Sequence, residues 1–157
     1  MSEKIEALLQ YMDAIKEIAP ISLPGLIRDK GQLFRAAKLP KSVRKMASGE
    51  CFRNSFHLML ENPGLIYVEG YGNSIIPTLH AWCIDVNGNV VDATWEGPEQ
   101  CAYYGIPFRR EFVIEETIKL KVYGLLSDYK VAYRISQMKQ VDYLASEGSA
   151  IGCNAGV

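Results

Sequence analysis

The chain has 157 residues, 48% of them hydrophobic, with a formal net charge of −1. That length suits one domain with a sizeable core, and the charge singles out no class of partner. The apolar runs are too short to cross a bilayer, and the first nineteen residues alternate charged and apolar positions where a secretory signal has an unbroken apolar stretch. No membrane association and a cytoplasmic location are therefore expected.

Residues 3–18 carry Ile5, Leu8, Leu9, Met12 and Ile15 at helical spacing, and Pro20 and Pro24 should end that helix. A short second helix is read over "GQLFRAAKL", before Pro40. Residues 28–45 hold seven Lys or Arg and one Asp, a local charge of +6, which leaves −7 for the remainder. "SGECFRNSFHLMLE" predicts a helix from about Ser48, with Phe52, Phe56, Met59 and Leu60 on one face and "NPG" as its stop. "LIYVEGY" reads as a strand, "GNSIIPT" as a loop, and "HAWCIDVNGNVVDATW", His80 to Trp95, as a hairpin. "AYYGIPF" is a further short strand. Residues 111–124 read equally as helix or strand. "VAYRISQMKQVDYLAS" reads as helical, with Val131, Ile135, Met138 and Val141 on one side. No internal repeat or domain boundary interrupts residues 1–145, and the small, Gly-rich residues 146–157 are expected to form a mobile tail.

Cys51, Cys83, Cys101 and Cys153 form no CxxC pair, which argues against a zinc site; no metal or cofactor is expected. Four cysteines are enough for two disulfides in a secreted chain. Without a secretory signal, reduced thiols are the better expectation. Three of them, Cys83, Cys101 and Cys153, are read as inert buried residues.

The hairpin places one of only two histidines on its first arm and an aspartate on its second. A two-residue Asn87-Gly88 turn would put His80 and Asp92 on opposite faces. A three-residue loop, Val86-Asn87-Gly88 with Gly88 left-handed, pairs Asp85 with Asn89 and brings His80 and Asp92 onto one face as diagonal neighbours. Asn-Gly suits both turns; the three-residue loop is the reading adopted, because it puts glycine at the position that needs it.

An aspartate beside a histidine orients the ring and stabilises its charged form. Such a pair needs a nucleophile, and Cys51 is the candidate. It falls in the first turn of its helix, about three residues after a Ser48 cap, where free N–H groups and the helix dipole favour thiolate and an oxyanion. His57, six residues further on, points well away from the Cys51 face and is read as structural or exposed.

"GEC" at a helix start, "YVEGY", "HAW" and "VVDATW", in that order over residues 48–95, resemble the transglutaminase-like branch of the papain-like cysteine proteases. The resemblance implies an α+β fold in which the cysteine helix packs on an antiparallel sheet carrying His and Asp. It also implies chemistry on an amide through a Cys51–His80–Asp92 triad and an acyl-enzyme. Ala93 stands where that family usually has proline, and Gln32, the nearest upstream glutamine, lies too far from Cys51 to be assigned to an oxyanion hole. Peptide, isopeptide, glycosylated asparagine and small-molecule amide all remain as substrates, and hydrolysis is not separated from acyl transfer. Trp82 and Trp95 are read as core or pocket walls, with Trp82, cross-strand neighbour of Asp92, a candidate substrate contact; Tyr67, Tyr71, Tyr103 and Tyr104 are read as packing or cleft-lining residues. The alternative is a catalytically inert module of the same fold that binds a protein partner. Nucleic-acid association through residues 28–45 is the weakest reading, since Phe34 is the segment's one aromatic and no nucleic-acid motif is present.

Overall fold

The computed structural model describes residues 2–146. The chain from residue 147 onward, with Cys153 and all but the first residue of the expected tail, lies outside the described residues. The described residues form an α+β fold, with six α-helices and one five-stranded antiparallel sheet.

Helix α1 (Glu3–Ile18) starts at a Ser2 cap and buries Leu8 and Met12. Helix α2 (Leu23–Lys30) follows, capped by Ser22. Pro24 sits in its first turn, where a missing N–H costs nothing, and so opens α2, while α1 ends at Ile18 just ahead of Pro20. The helix expected over "GQLFRAAKL" is absent. Gln32–Phe34 instead form edge strand β1, opposite Gly105–Tyr103. Gly31 permits that approach, because a Cβ there would lie 2.7 Å from the Gly105 carbonyl oxygen. Residues 36–50 then run without helix or strand to α3 (Cys51–Glu61).

Strands β2 (Ile66–Asn73) and β3 (Pro77–Ile84) extend further into "GNSIIPT" than expected and leave only Ser74–Ile76 as their loop. Strand β4 is two residues long (Val90–Val91), and β5 covers Ala102–Phe108. The sheet order is β1-β5-β2-β3-β4. Its two edges meet where Arg35 bridges Asn89: the Val90 N–H donates to the Arg35 carbonyl at 2.9 Å, and the Arg35 guanidinium donates to Asn89 Oδ1 at 2.6 Å. The sheet therefore curls back on itself.

This curl creates two apolar cores from strands of period two. One face meets the helices through Tyr67, Ala81, Cys83, Ile106 and Phe108, against Leu8, Met12, Leu58 and Met59. The other encloses Phe34, Val68, Trp82, Ile84, Val90 and Tyr103, with no helix residue among them. His80 and Asp92 belong to this second, inward face.

Residues 111–124 resolve as helix α4 (Arg110–Leu120) and a turn. The expected helix over 131–146 breaks in two, α5 (Tyr129–Gln137) and α6 (Gln140–Tyr143), at extended Met138 and Lys139. Tertiary pairing outweighs local propensity here. Tyr143 is fully buried, and the N–H groups of Arg109 and Ala145 donate to the Tyr143 and Pro107 carbonyls at 2.8 and 3.0 Å. No helix among the described residues is long and apolar enough to cross a membrane.

Candidate catalytic site

The hairpin adopts the three-residue loop. Cys83 faces Val91, Ile84 faces Val90, and the Asp85 N–H donates to the Asn89 carbonyl. Gly88 has φ +74 and donates to the Asp85 carbonyl at 3.0 Å. The Asp85 carboxylate decides between the two turns. Its Oδ1 accepts the N–H groups of Asn87 and Asn89, both at 2.9 Å, which holds the longer loop closed.

The ladder stops at Val91, and Asp92 turns the chain on its own carboxylate. Oδ1 accepts the N–H groups of Thr94 at 2.8 Å and Trp95 at 3.2 Å. Oδ2 accepts His80 Nε2–H at 2.8 Å and the Tyr103 hydroxyl at 3.0 Å. Burial opposes the charge on Asp92, but the bond from His80 and the two N–H groups outweigh it, so its pKa is lowered. Burial likewise works against imidazolium. The bonds to Asp92 and Cys51 overcome it, and the His80 pKa is raised. With Nε2 committed to Asp92, Nδ1 is the nitrogen left for the Cys51 thiol.

Cys51 is the first residue of α3, not the third after a Ser48 cap. Glu50 takes the cap position without a side-chain bond, and Gly49 turns with φ +79. The late start follows from tethers to the hairpin's second arm. The Met46 N–H donates to the Ala93 carbonyl at 2.8 Å. Asn54 Nδ2 donates to the Ala47 carbonyl at 2.7 Å and to Thr94 Oγ1 at 3.0 Å. The chain must therefore turn at Ser48-Gly49 before it can coil. The first helical bond runs from the Asn54 N–H to the Glu50 carbonyl, so the N–H groups of Cys51, Phe52 and Arg53 precede the ladder. Cys51 itself is half-buried.

Trp95 lies flat on His80, with ring centroids 3.7 Å apart and planes 6° apart. The indole fits because residue 72 is glycine; a Cβ there would lie 2.5 Å from its ring. His80 is left 2% exposed, so access to the site runs through Cys51. Trp82 corrects an expectation. It is 0% exposed, packed against Phe34 and Tyr103 with its ring 6.0 Å from His80, and so supports the imidazole from inside the curl, out of a substrate's reach.

The remaining candidates lie elsewhere. Cys83 faces the helices and donates to the Ser55 carbonyl at 3.3 Å, and burial pushes its thiol pKa up. Burial also raises the Cys101 pKa. His57 Nε2 lies 3.1 Å from the Tyr123 hydroxyl, and Gln32 is exposed on β1. Tyr103, read from sequence as core or pocket wall, proves to be a donor to Asp92, and Asn54 was not singled out. The pairing of β5 with β2 that carries Tyr103 to Asp92 leaves no local signal, whereas an asparagine three residues after the cysteine, on the predicted helix, was visible. Among the described residues no group of three or more His, Cys, Asp or Glu is placed to hold a metal ion. A cavity of about 270 Å³ beside Trp95 is lined by Lys4, Ser74, Ile75, Gln100 and Cys101 among others.

No protein-family model matches the sequence, and no curated protein or solved structure matches it.

Proposed function

We propose that the protein is a transglutaminase-like cysteine hydrolase or acyltransferase acting on an amide bond. One observation carries this reading. Three separate elements, the start of α3, strand β3 and the turn after β4, bring a half-buried thiol, a shielded imidazole and a carboxylate together, with His80 Nε2 2.8 Å from Asp92 Oδ2 and the Cys51 thiol acting on the same ring.

In this reading the Cys51 thiol gives its proton to His80 Nδ1, and its sulfur attacks the substrate carbonyl carbon. The N–H groups at the start of α3 face the developing oxyanion. The C–N bond breaks as His80 returns the proton to the leaving amine, which leaves a thioester on Cys51. Water or a second amine then attacks the thioester, again with His80 as base. Asp92 holds the ring through Nε2–H and balances its charge, while Trp95 keeps water off the pair.

The test is the rate of Cys51 alkylation by iodoacetamide against pH, in the wild type and His80→Ala. A reactive thiol well below the ordinary cysteine pKa of about 8.5 that is lost in the variant supports the reading. Superimposable profiles typical of a free cysteine would end it.

A further inference from the structure

The segment between β1 and α3 carries chemistry that the triad does not use. Residues 36–50 have no regular secondary structure, and uninterrupted loops of that length are usually functional. The segment is nevertheless fixed. Leu39, Val43 and Met46 turn inward onto the helix-side core. Met46 and Ala47 are hydrogen-bonded to Ala93 and Asn54, so the end of the segment is tied to both the turn that holds Asp92 and the cysteine helix. The intervening cations, Lys38, Lys41, Arg44 and Lys45, turn outward and are exposed.

From Arg35 to Gly49 the chain contains no Asp or Glu, and Arg53, two residues beyond Cys51, adds another exposed cation. Lys45 bonds the Trp95 carbonyl oxygen and pairs with Glu96 at 3.3 Å, which ties the end of the segment to the backbone of the residue whose indole covers His80. Among the described residues, Lys38, Lys41, Arg44 and Arg53 have no carboxylate partner. Glu50, the residue before Cys51, is the one carboxylate of residues 36–50 against four cations there and Arg53 beyond, and this excess of positive charge creates a field that favours anionic ligands.

We propose that this anchored basic loop selects acidic peptide segments for Cys51, with Lys41 and Arg44 as specificity-determining residues. The proposal rests on the catalytic reading above for its account of what happens to the bound peptide. A polypeptide is favoured over a nucleic acid on two grounds. The thiol acts on amide carbonyls. In addition, residues 36–50 contain no aromatic, and Phe34 just before them is buried inside the curl, so this segment offers no stacking platform for bases.

The experiment compares two alkylating probes of nearly equal size, anionic iodoacetate and neutral iodoacetamide. Their rates are mapped to Cys51 by peptide mass spectrometry in the full chain. At a separation of about one Debye length, two charge reversals change the rate of an anionic reagent by roughly threefold to tenfold at low salt. The iodoacetate-to-iodoacetamide ratio is therefore expected to fall at least threefold in Lys41→Glu/Arg44→Glu, and to fall with added salt in the wild type. Lys130→Glu, on α5, should leave it unchanged. Hexaglutamate should protect Cys51 from iodoacetamide in the wild type and not in the double variant. A ratio unmoved by the double variant overturns the proposal, as does protection by an oligodeoxynucleotide without protection by hexaglutamate. The catalytic reading fails separately, through equal rates in wild type and His80→Ala; the probe ratio reads the loop in either case.

Discussion

Two carboxylates are buried in this sheet, and they make an instructive pair. Glu69 lies on the helix-covered face, where its Oε1 accepts the Tyr67 hydroxyl and the Leu125 N–H, both at 2.6 Å, and its Oε2 accepts the Leu126 N–H at 2.8 Å. Asp92 lies on the inward face and accepts the Tyr103 hydroxyl and two backbone N–H groups in a similar way. Burial raises the Glu69 pKa despite its three donors, whereas the Asp92 pKa is lowered. What separates them is a fourth donor that can carry charge, His80. A tyrosine and two amides make a structural staple, which here holds the α4–α5 turn on the sheet. The added imidazole turns the same kind of shell into one that stabilises a positive charge beside a thiol.

The comparison breaks most sharply at the thiol and the ring. Cys51→Ala should abolish thioester formation with an activated amide or ester, and His80→Ala should lower it by about a thousandfold or more, both leaving thermal unfolding close to wild type. Asp92→Ala should cost less, about a hundredfold, because the imidazole remains in place but loses its anchor. Intact-mass detection of the acyl-enzyme provides the readout. Equal acylation of the wild type and His80→Ala would leave both carboxylates as staples.

Next in size is the staple itself. Glu69→Ala strands the Tyr67 hydroxyl and two N–H groups in a buried, dry site, and should destabilise the fold by about 3–4 kcal/mol. Denaturant unfolding measures this. Activity should fall only as far as the folded fraction falls. A large loss of rate in a fully folded Glu69→Ala would mean that Glu69 acts on the site, erasing the contrast with Asp92.

The two carboxylates also differed in how visible they were. His80 and Asp92 were legible in the sequence because strand parity and one glycine tie them together over twelve residues, and the Asp85 carboxylate confirmed the turn. Cys51 was legible from its place at a helix start, although not its cap, because the tethers from Met46 and Asn54 that delay the helix are tertiary. Glu69 sat unnoticed inside "LIYVEGY", since its partners come from a turn more than fifty residues later. The same blindness hid the bond from Tyr103 to Asp92, the β1 strand drawn from a helix-like "GQLF", and the break at Met138. Each depends on a partner distant in sequence, and local pattern cannot register such a partner. Trp82 failed for a different reason. Its face was read correctly, but the curl that closes over that face was not visible.

The pH dependence of stability gives the pair opposite signs. The lowered Asp92 pKa contributes stability that is present above its ordinary value of 3.8 and is lost as pH falls through the lowered value. The raised Glu69 pKa means stability that is present below 4.5 and is lost as pH rises through the raised value. His80 follows the second pattern, with stability complete below 6.5 and declining as pH rises through its raised value. Urea unfolding against pH should therefore show a shallower acid limb in Asp92→Asn and a shallower decline above pH 4.5 in Glu69→Gln. It is the slopes that carry the test, since each variant also shifts the absolute stability.

The smallest effect isolates what the two shells share. Tyr103→Phe removes one of four donors to Asp92, and Tyr67→Phe removes one of three to Glu69. Each loses a buried hydroxyl bond worth about 1 kcal/mol, so the two variants should be destabilised alike. Their effect on chemistry should differ. Tyr103 bonds the same oxygen, Oδ2, that receives His80, so its loss lets the carboxylate shift against the ring and should slow acylation severalfold. Tyr67→Phe, matched in stability, serves as the control. If the two variants acylate at the same rate, the Tyr103 hydroxyl only fills a bonding position on Asp92, and the alignment of His80 rests on the two N–H groups and on the stacked Trp95.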